Sequence, residues 1–373
     1  NKYEPLFKSL TLPNGVEVRN RFVLAPLTHT SSNDDGTISD IELPYIEKRS
    51  KDVGIAINAA SNVNDVGKAF PGQPSIGHDC DIEGLKELAQ VMKKNGAKAI
   101  VQIHHGGAQA LPELTPDGDV VAPSAISLKS FGQQKEHDAR EMTAEEIEQT
   151  IRDFGEATRR AIEAGFDGVE IHGANHYLIH QFVSPYYNRR NDVWADNYKF
   201  PVAVIDEVVK AKKAHANDDF IIGYRLSPEE AESPGISMEI TEELIHQIAN
   251  KPLDYIHVSL MDVNSVTREG KYKGENRLEL IHQWINGRMP LIGIGSVFTA
   301  EDALNAVENI GVEFVALGRE ILLDYDFVAK IKEGREDEII NAFDPNREDQ
   351  HYLTPNLWEQ FNQGFYPLPR KDK

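Results

Sequence analysis

A single cysteine, Cys80, stands in a chain of 373 residues. That scarcity excludes a disulfide framework, a four-cysteine zinc site and an iron–sulfur cluster held by this chain. Basic residues are short as well: 39 Lys plus Arg face 60 Asp plus Glu, a formal charge of −21. A field of that sign repels phosphate backbones and anionic headgroups, so no nucleic acid and no membrane surface is expected as a partner. No stretch approaches the ~18 consecutive apolar residues of a transmembrane helix, and the mean hydropathy is −0.44. Asn1 to Leu12 lacks the apolar stretch of a signal peptide, which makes the cytoplasm the expected compartment. What is present, 40% hydrophobic and 27% charged residues, suffices for a globular core.

The order of patterns sets the fold class. Eight short apolar runs read as strands: Phe22–Ala25, Gly54–Ala59, Lys98–Ile103, Gly168–His172, Phe220–Leu226, Tyr255–Ser259, Leu291–Gly295 and Phe314–Leu317. Helical patterns alternate with them: Asp40–Lys51, Ile82–Asn95, Ala144–Ala164, Asn197–His215, Glu242–Asn250, Leu278–Asn286, Ala300–Asn309 and Asp326–Glu333. Thr143 followed by Glu146 predicts a capping box, and Ala164-Gly165 a left-handed helix end. Nearly continuous apolar strands separated by helices predict a parallel sheet buried on both faces. Eight of them favour an α/β fold of the closed (β/α)8 barrel type.

Three segments fall outside the alternation. Ser9–Arg19 reads as an N-terminal β-hairpin around Pro13-Asn14-Gly15, a plug under the first strand. Gly106–Met142 is an insertion after strand 3, long enough for a lid or a small subdomain. The barrel unit is thus expected over 1–334, including the excursion 106–142. The remaining 335–373 form a C-terminal extension rich in aromatics: Phe343, Tyr352, Trp358, Phe361, Phe365 and Tyr366. Such a tail needs cover, from the barrel itself or from a neighbouring subunit of a homo-oligomer.

Chemistry in this architecture sits at the carboxyl ends of the strands. Those ends read Pro26-Leu27-Thr28, Ala59-Ala60-Ser61, Gln102-Ile103-His104-His105, Glu170-Ile171-His172 through Tyr177, Arg225-Leu226-Ser227, Ser259, Gly295-Ser296 and Gly318-Arg319. They are rich in neutral hydrogen-bond donors and lack the opposed carboxylates that a glycosidase needs. Glycines at the ends of strands 7 and 8, with Arg319 beside the second, fit the usual phosphate site of the fold. That much suits a phosphosugar isomerase or epimerase as well as a nucleotide-cofactor enzyme. His172, His176 and His180, with His104-His105 nearby, also admit a metal-dependent hydrolase, although no His-Glu-x-x-His motif is present.

The same strand ends carry a family resemblance. Asn20-Arg21-Phe22-Val23-Leu24-Ala25-Pro26-Leu27-Thr28 resembles the opening signature of the old yellow enzyme family, and Glu170 to Phe182 resembles its substrate motif. Val121 to Ile126, Glu141-Met142-Thr143 and Leu317-Gly318-Arg319-Glu320 match further landmarks in order. The resemblance implies an FMN-dependent oxidoreductase that uses NADH or NADPH to reduce the activated C=C bond of a small electrophile. It implies cofactor contacts from Pro26, Leu27, Thr28, Ala60, Gln102, Arg225 and Ser259, with Gly295, Ser296, Gly318 and Arg319 on the phosphate. It implies that His172 and Asn175 clamp the substrate oxygen while Tyr177 donates a proton, with no catalytic metal. A flavin-binding protein without catalysis would leave that clamp and donor unexplained. Where some subgroups carry Cys this chain has Thr28, and where others carry His-x-x-His it has His172-x-x-Asn175. The stretch Val193–Tyr198 is shortened, and His105-Gly106-Gly107-Ala108 lacks an arginine that many members carry.

Overall fold

The computed structural model describes residues 1–130 and 134–371. Eight parallel strands close a barrel. In chain order they are β1 (Phe22–Leu24), β2 (Ile55–Asn62), β3 (Lys98–His104), β4 (Gly168–Gly173), β5 (Ile221–Leu226), β6 (Tyr255–Val258), β7 (Leu291–Ile294) and β8 (Phe314–Leu317). β8 pairs with β1 through Val315–Phe22, Ala316–Val23 and Leu317–Leu24, which leaves the barrel without an edge. β2 bulges between Asn58 and Ser61, so Ala59 and Ala60 sit where the ladder slips.

Alternation along each strand divides the apolar residues between two cores. Val23, Ile55, Ile57, Ile100, Ile221, Tyr255, Ile292 and Phe314 fill the barrel interior. The outward strand residues, among them Val101, Val169, Ile222 and Val315, pack against helix residues such as Leu88, Phe154, Phe200, Ile245 and Ile281. The hairpin Leu10–Thr11/Glu17–Val18 closes the floor. Leu12 and Val18 join the interior cluster, and Asn14 reaches across to Asp254 Oδ1 at 3.1 Å and to the Phe220 carbonyl at 3.3 Å. The plug therefore lies under β5 and β6 as well as under β1.

Local signals account for the helix ends. Thr143 Oγ1 accepts from the Glu146 N–H at 3.1 Å, Glu146 Oε1 accepts from the Thr143 N–H at 2.9 Å, and the helix runs Ala144–Ala164 to Gly165 at φ 89°. The helix expected over Glu242–Asn250 instead spans Met238–Ile248, because the Ser237 side chain caps it by accepting from the Ile240 N–H. The pattern Ala300–Asn309 divides into an α-helix Ala300–Leu304 and a π-helical turn Asn305–Ile310. Within the excursion, Val121–Ala122, Ile126–Leu128 and His137–Glu141 make a small sheet over a separate cluster of Ala108, Ala110, Val120, Ala122 and Ala139.

The C-terminal segment lies on its own barrel. Phe343, Leu353, Leu357 and Phe361 enter the outer core. Arg49, fully buried, donates to the Ile321, Leu322, His351 and Tyr352 carbonyls, tying the tail to the short helix Arg319–Leu323 after β8. Among the described residues no helix is long and apolar enough to cross a membrane.

Candidate active site

The sequence-predicted residues gather at the carboxyl end of the barrel in two groups. Gly295, Ser296, Gly318 and Arg319 line a cavity of about 310 Å³, together with Leu27, Met261 and Phe298. Tyr366 and Pro367 of the tail complete its wall. Arg319 is held there by Ser296 Oγ at 3.2 Å, by the Pro367 carbonyl at 3.3 Å and over the Phe298 ring at 5.0 Å. Gly318 precedes the short helix Arg319–Leu323. A Cβ there would meet nothing nearer than Ile294 and Leu27 at 3.8 Å. The space that a side chain would fill is the cradle itself, which suits a phosphate approaching backbone N–H groups.

The second group surrounds His172 and Arg225, which pair in register at the ends of β4 and β5. His172 is buried, and its Nδ1 accepts from the Ala174 N–H at 3.3 Å. Burial, reinforced by His104 and Arg225, pushes its pKa well below the ordinary histidine value. The ring is therefore neutral, with its proton on Nε2 as a donor. Asn175 stands at φ 61°. Its N–H donates to Ser227 Oγ at 2.8 Å, and its Oδ1 accepts from Ser259 Oγ at 2.7 Å. With the oxygen engaged, the Nδ2 hydrogens are left to donate. Tyr177 packs edge-on against His172 at 5.2 Å and His104 at 4.3 Å. Burial raises its pKa, so the hydroxyl keeps its proton at neutral pH.

Arg225 has no ion-pair partner among the described residues. Glu170, two residues before His172 on β4, is saturated by other donors: Gln102 Nε2 at 2.8 Å, Tyr255 OH at 2.9 Å and His257 Nδ1 at 2.9 Å. Arg225 Nε is buried without a hydrogen-bond partner. A buried guanidinium with an orphaned N–H fits an electron-rich ring edge such as the N1–C2=O side of a flavin. Pro26, Leu27 and Thr28 continue β1 toward the same end, with Thr28 exposed, and Ala60 lies at the β2 bulge. Gln102, expected at the cofactor, spends one amide hydrogen on Glu170, and Ser259, expected there too, gives its hydroxyl to Asn175.

Sequence reasoning weighed His104 only as a metal ligand. Gln73 Oε1 accepts from the Ala69 N–H and Gln73 Nε2 donates to the Ala60 carbonyl, which fixes that amide's orientation. The same Nε2 lies 2.9 Å from His104 Nδ1 and donates to it, so the His104 proton sits on Nε2, a second neutral donor beside Tyr177. The histidine set expected for a metal hydrolase does not assemble around His172. Among the described residues the metal-capable cluster is His176, His180 and Glu230.

Residues 5–338 match the model of the NADH:flavin oxidoreductase / NADH oxidase family. The chain belongs to that family. A probable NADH-dependent flavin oxidoreductase of Bacillus subtilis (strain 168) is 50% identical, over 98% of both chains. An NADH:fumarate oxidoreductase of Klebsiella pneumoniae (strain 342) is 38% identical over 95% of this chain, which spans 38% of that protein's length. Morphinone reductase in complex with tetrahydroNAD superposes with a TM-score of 0.76 at 24% identity, over 88% of this chain and 91% of that one. The fold is accordingly that of the old yellow enzymes. The protein is an oxidoreductase that uses FMN with NADH or NADPH, and the isomerase and hydrolase readings fall away.

Proposed function

We propose that this flavin oxidoreductase reduces the C=C bond of a small enone or a related electrophile conjugated to an oxygen. The observation that supports it is the pair of neutral donors left without protein acceptors: His172 Nε2–H, freed because Nδ1 is taken by Ala174, and Asn175 Nδ2, freed because Oδ1 is taken by Ser259. Two such donors suit an oxygen that gains negative charge during the reaction. Gly295, Ser296, Gly318 and Arg319 would hold the FMN phosphate, and Pro26, Leu27, Thr28, Ala60, Gln102 and Arg225 its ring. FMN, when bound, supplies the hydride. The chain's own part is to hold the substrate oxygen on His172 and Asn175 and to keep a proton on Tyr177 for the α-carbon. Neutrality of His172 matters here, because an imidazolium would draw anions indiscriminately.

The test is Tyr177→Phe, which deletes one hydroxyl and keeps the ring against His104. Cyclohexenone reduction should fall ~10²–10⁴-fold, the range for loss of a general acid. Quinone reduction should persist, since quinone oxygens take protons from water. Equal slowing of both substrates, or of neither, would show that Tyr177 only packs the rim.

A further inference from the structure

Beside Tyr177 in sequence, the chain builds a polar cluster that the proposed reaction does not use. His176 lies at φ 65°, and His180 is in the short helix Leu178–Val183. Their rings stand 4.4 Å apart, tilted by 31°. Both Nε2 atoms turn to one oxygen of Glu230, in the loop after β5: His180 at 2.9 Å and His176 at 3.5 Å. Glu232 Oε1 approaches His176 Nε2 at 2.8 Å.

Charge is the difficulty in this arrangement. The His180 and Glu230 side chains are fully buried, and no Lys or Arg pairs with Glu230 or Glu232 among the described residues. Two neutral imidazoles can each donate one N–H, and the Ile236 N–H donates to Glu230 Oε2 at 2.6 Å, yet no cation offsets the buried Glu230 charge or that of the partly exposed Glu232. Protonating a buried imidazole carries its own desolvation cost. A divalent cation would cancel both charges together. The geometry allows it, since the donor atoms of His176, His180 and Glu230 all lie within 4.8 Å of one another. Tetrahedral zinc with bonds of about 2.0–2.1 Å separates its ligand atoms by about 3.3 Å, between the 2.9 and 3.5 Å found for the two Nε2-to-Glu230 distances. One term opposes the site: His180 Nδ1 is buried without a partner, so the metal-bound tautomer leaves one N–H unpaired.

We propose that His176, His180 and Glu230 form a divalent-cation site, with Glu232 beside His176. Imidazole with carboxylate donors favours zinc over calcium or magnesium. The ion would be positional. It would tie the left-handed residues Asn175 and His176, and with them Tyr177, to the β5 loop without touching the substrate.

The experiment is a calorimetric titration of the chelator-treated, FMN-loaded protein with zinc chloride, beside His176→Asn, Glu230→Gln and His78→Asn. His176 is 36% exposed, so its replacement leaves the core intact even if Glu230→Gln fails to fold. His78, paired with Asp65 on the surface, controls for adventitious binding. One zinc per chain is expected, weakened ~10²-fold or more by His176→Asn and unchanged by His78→Asn, with a melting temperature that zinc raises in the parent but not in His176→Asn. Absence of stoichiometric binding would overturn the site and leave a His–Glu hydrogen-bond network. Binding that survives His176→Asn, or vanishes in His78→Asn, would place the ion elsewhere and overturn it equally.

Discussion

Ser259 offers the sharpest test of how the oxygen clamp is held. Asn175 is exposed at the site mouth, and its amide has two orientations that differ only in which end faces the substrate. Ser259 Oγ donates to Oδ1 at 2.7 Å, whereas Ser227 Oγ reaches the same oxygen only at 3.5 Å, the limit of a hydrogen bond. Ser259→Ala therefore removes the main orienting contact and leaves the Asn175 donors in place. A neutral hydrogen bond is worth about 0.5–1.5 kcal/mol net, so kcat/KM for cyclohexenone should fall about 2- to 13-fold. Asn175→Ala deletes the donor itself and should cost ~10²–10³-fold. The assay is steady-state turnover of both variants, with phenol affinity measured on the same preparations as an equilibrium readout of the clamp. FMN affinity should not change in Ser259→Ala. A loss as large as that of Asn175→Ala, or a drop in FMN affinity, would mean that Ser259 touches ligand directly and refute the orienting role. Unchanged turnover would refute it too.

Two further expectations follow from buried charge. Arg225→Met removes a guanidinium whose Nε has no protein partner, so FMN should bind about 10- to 150-fold more weakly, the range for a hydrogen bond to a charged group; apoprotein melting should hold or rise, because the three donors of Glu170 stay in place, and unaltered FMN affinity would refute the assignment. Burial lowers the pKa of His104 and of His105 from 6.5 to about 3, so their contribution to stability is complete above about pH 6.5 and is lost as pH falls toward 3, by up to about 1.4 kcal/mol per pH unit for each histidine. His105→Asn, which can keep an acceptor for the Gly107 N–H, should flatten the decline in urea midpoint between pH 7 and pH 5, and parallel declines would show that His105 is not the group being titrated.

The barrel was legible because its signals are local. Each strand is a run of apolar residues that closes on polar ones, and the capping box at Thr143 and Glu146 needs only four residues to declare itself. The same kind of signal was available and unread elsewhere. Ser237 marks the start of Met238–Ile248, and Thr354 before Pro355 marks the helix Pro355–Asn362. Leu178–Val183 and Arg319–Leu323 are too short for periodicity to reveal. The π-helical turn at Asn305–Ile310 leaves no mark in the apolar pattern, which continues through it.

The candidate site divides along the same line. His172, Asn175, Tyr177 and Arg225 could be named because strand ends and a family motif place them. What each is free to do depends on partners far away in sequence. Asn175 can donate because Ser259, 84 residues on, occupies its oxygen. Arg225 is left for a ligand only because Tyr255 and His257, 85 and 87 residues beyond Glu170, have already taken up that carboxylate. From residue type alone, an Arg225–Glu170 salt bridge inside the barrel is the competing use for both residues. The closed sheet works against that bridge by setting His257 opposite Arg225 in register and letting it serve Glu170 instead. A buried cation thereby loses its obvious partner at the end of the barrel where the cavity lined by Gly295, Ser296, Gly318 and Arg319 opens. The orphaned Nε is a consequence of strand pairing, and no pattern confined to one strand could have shown it.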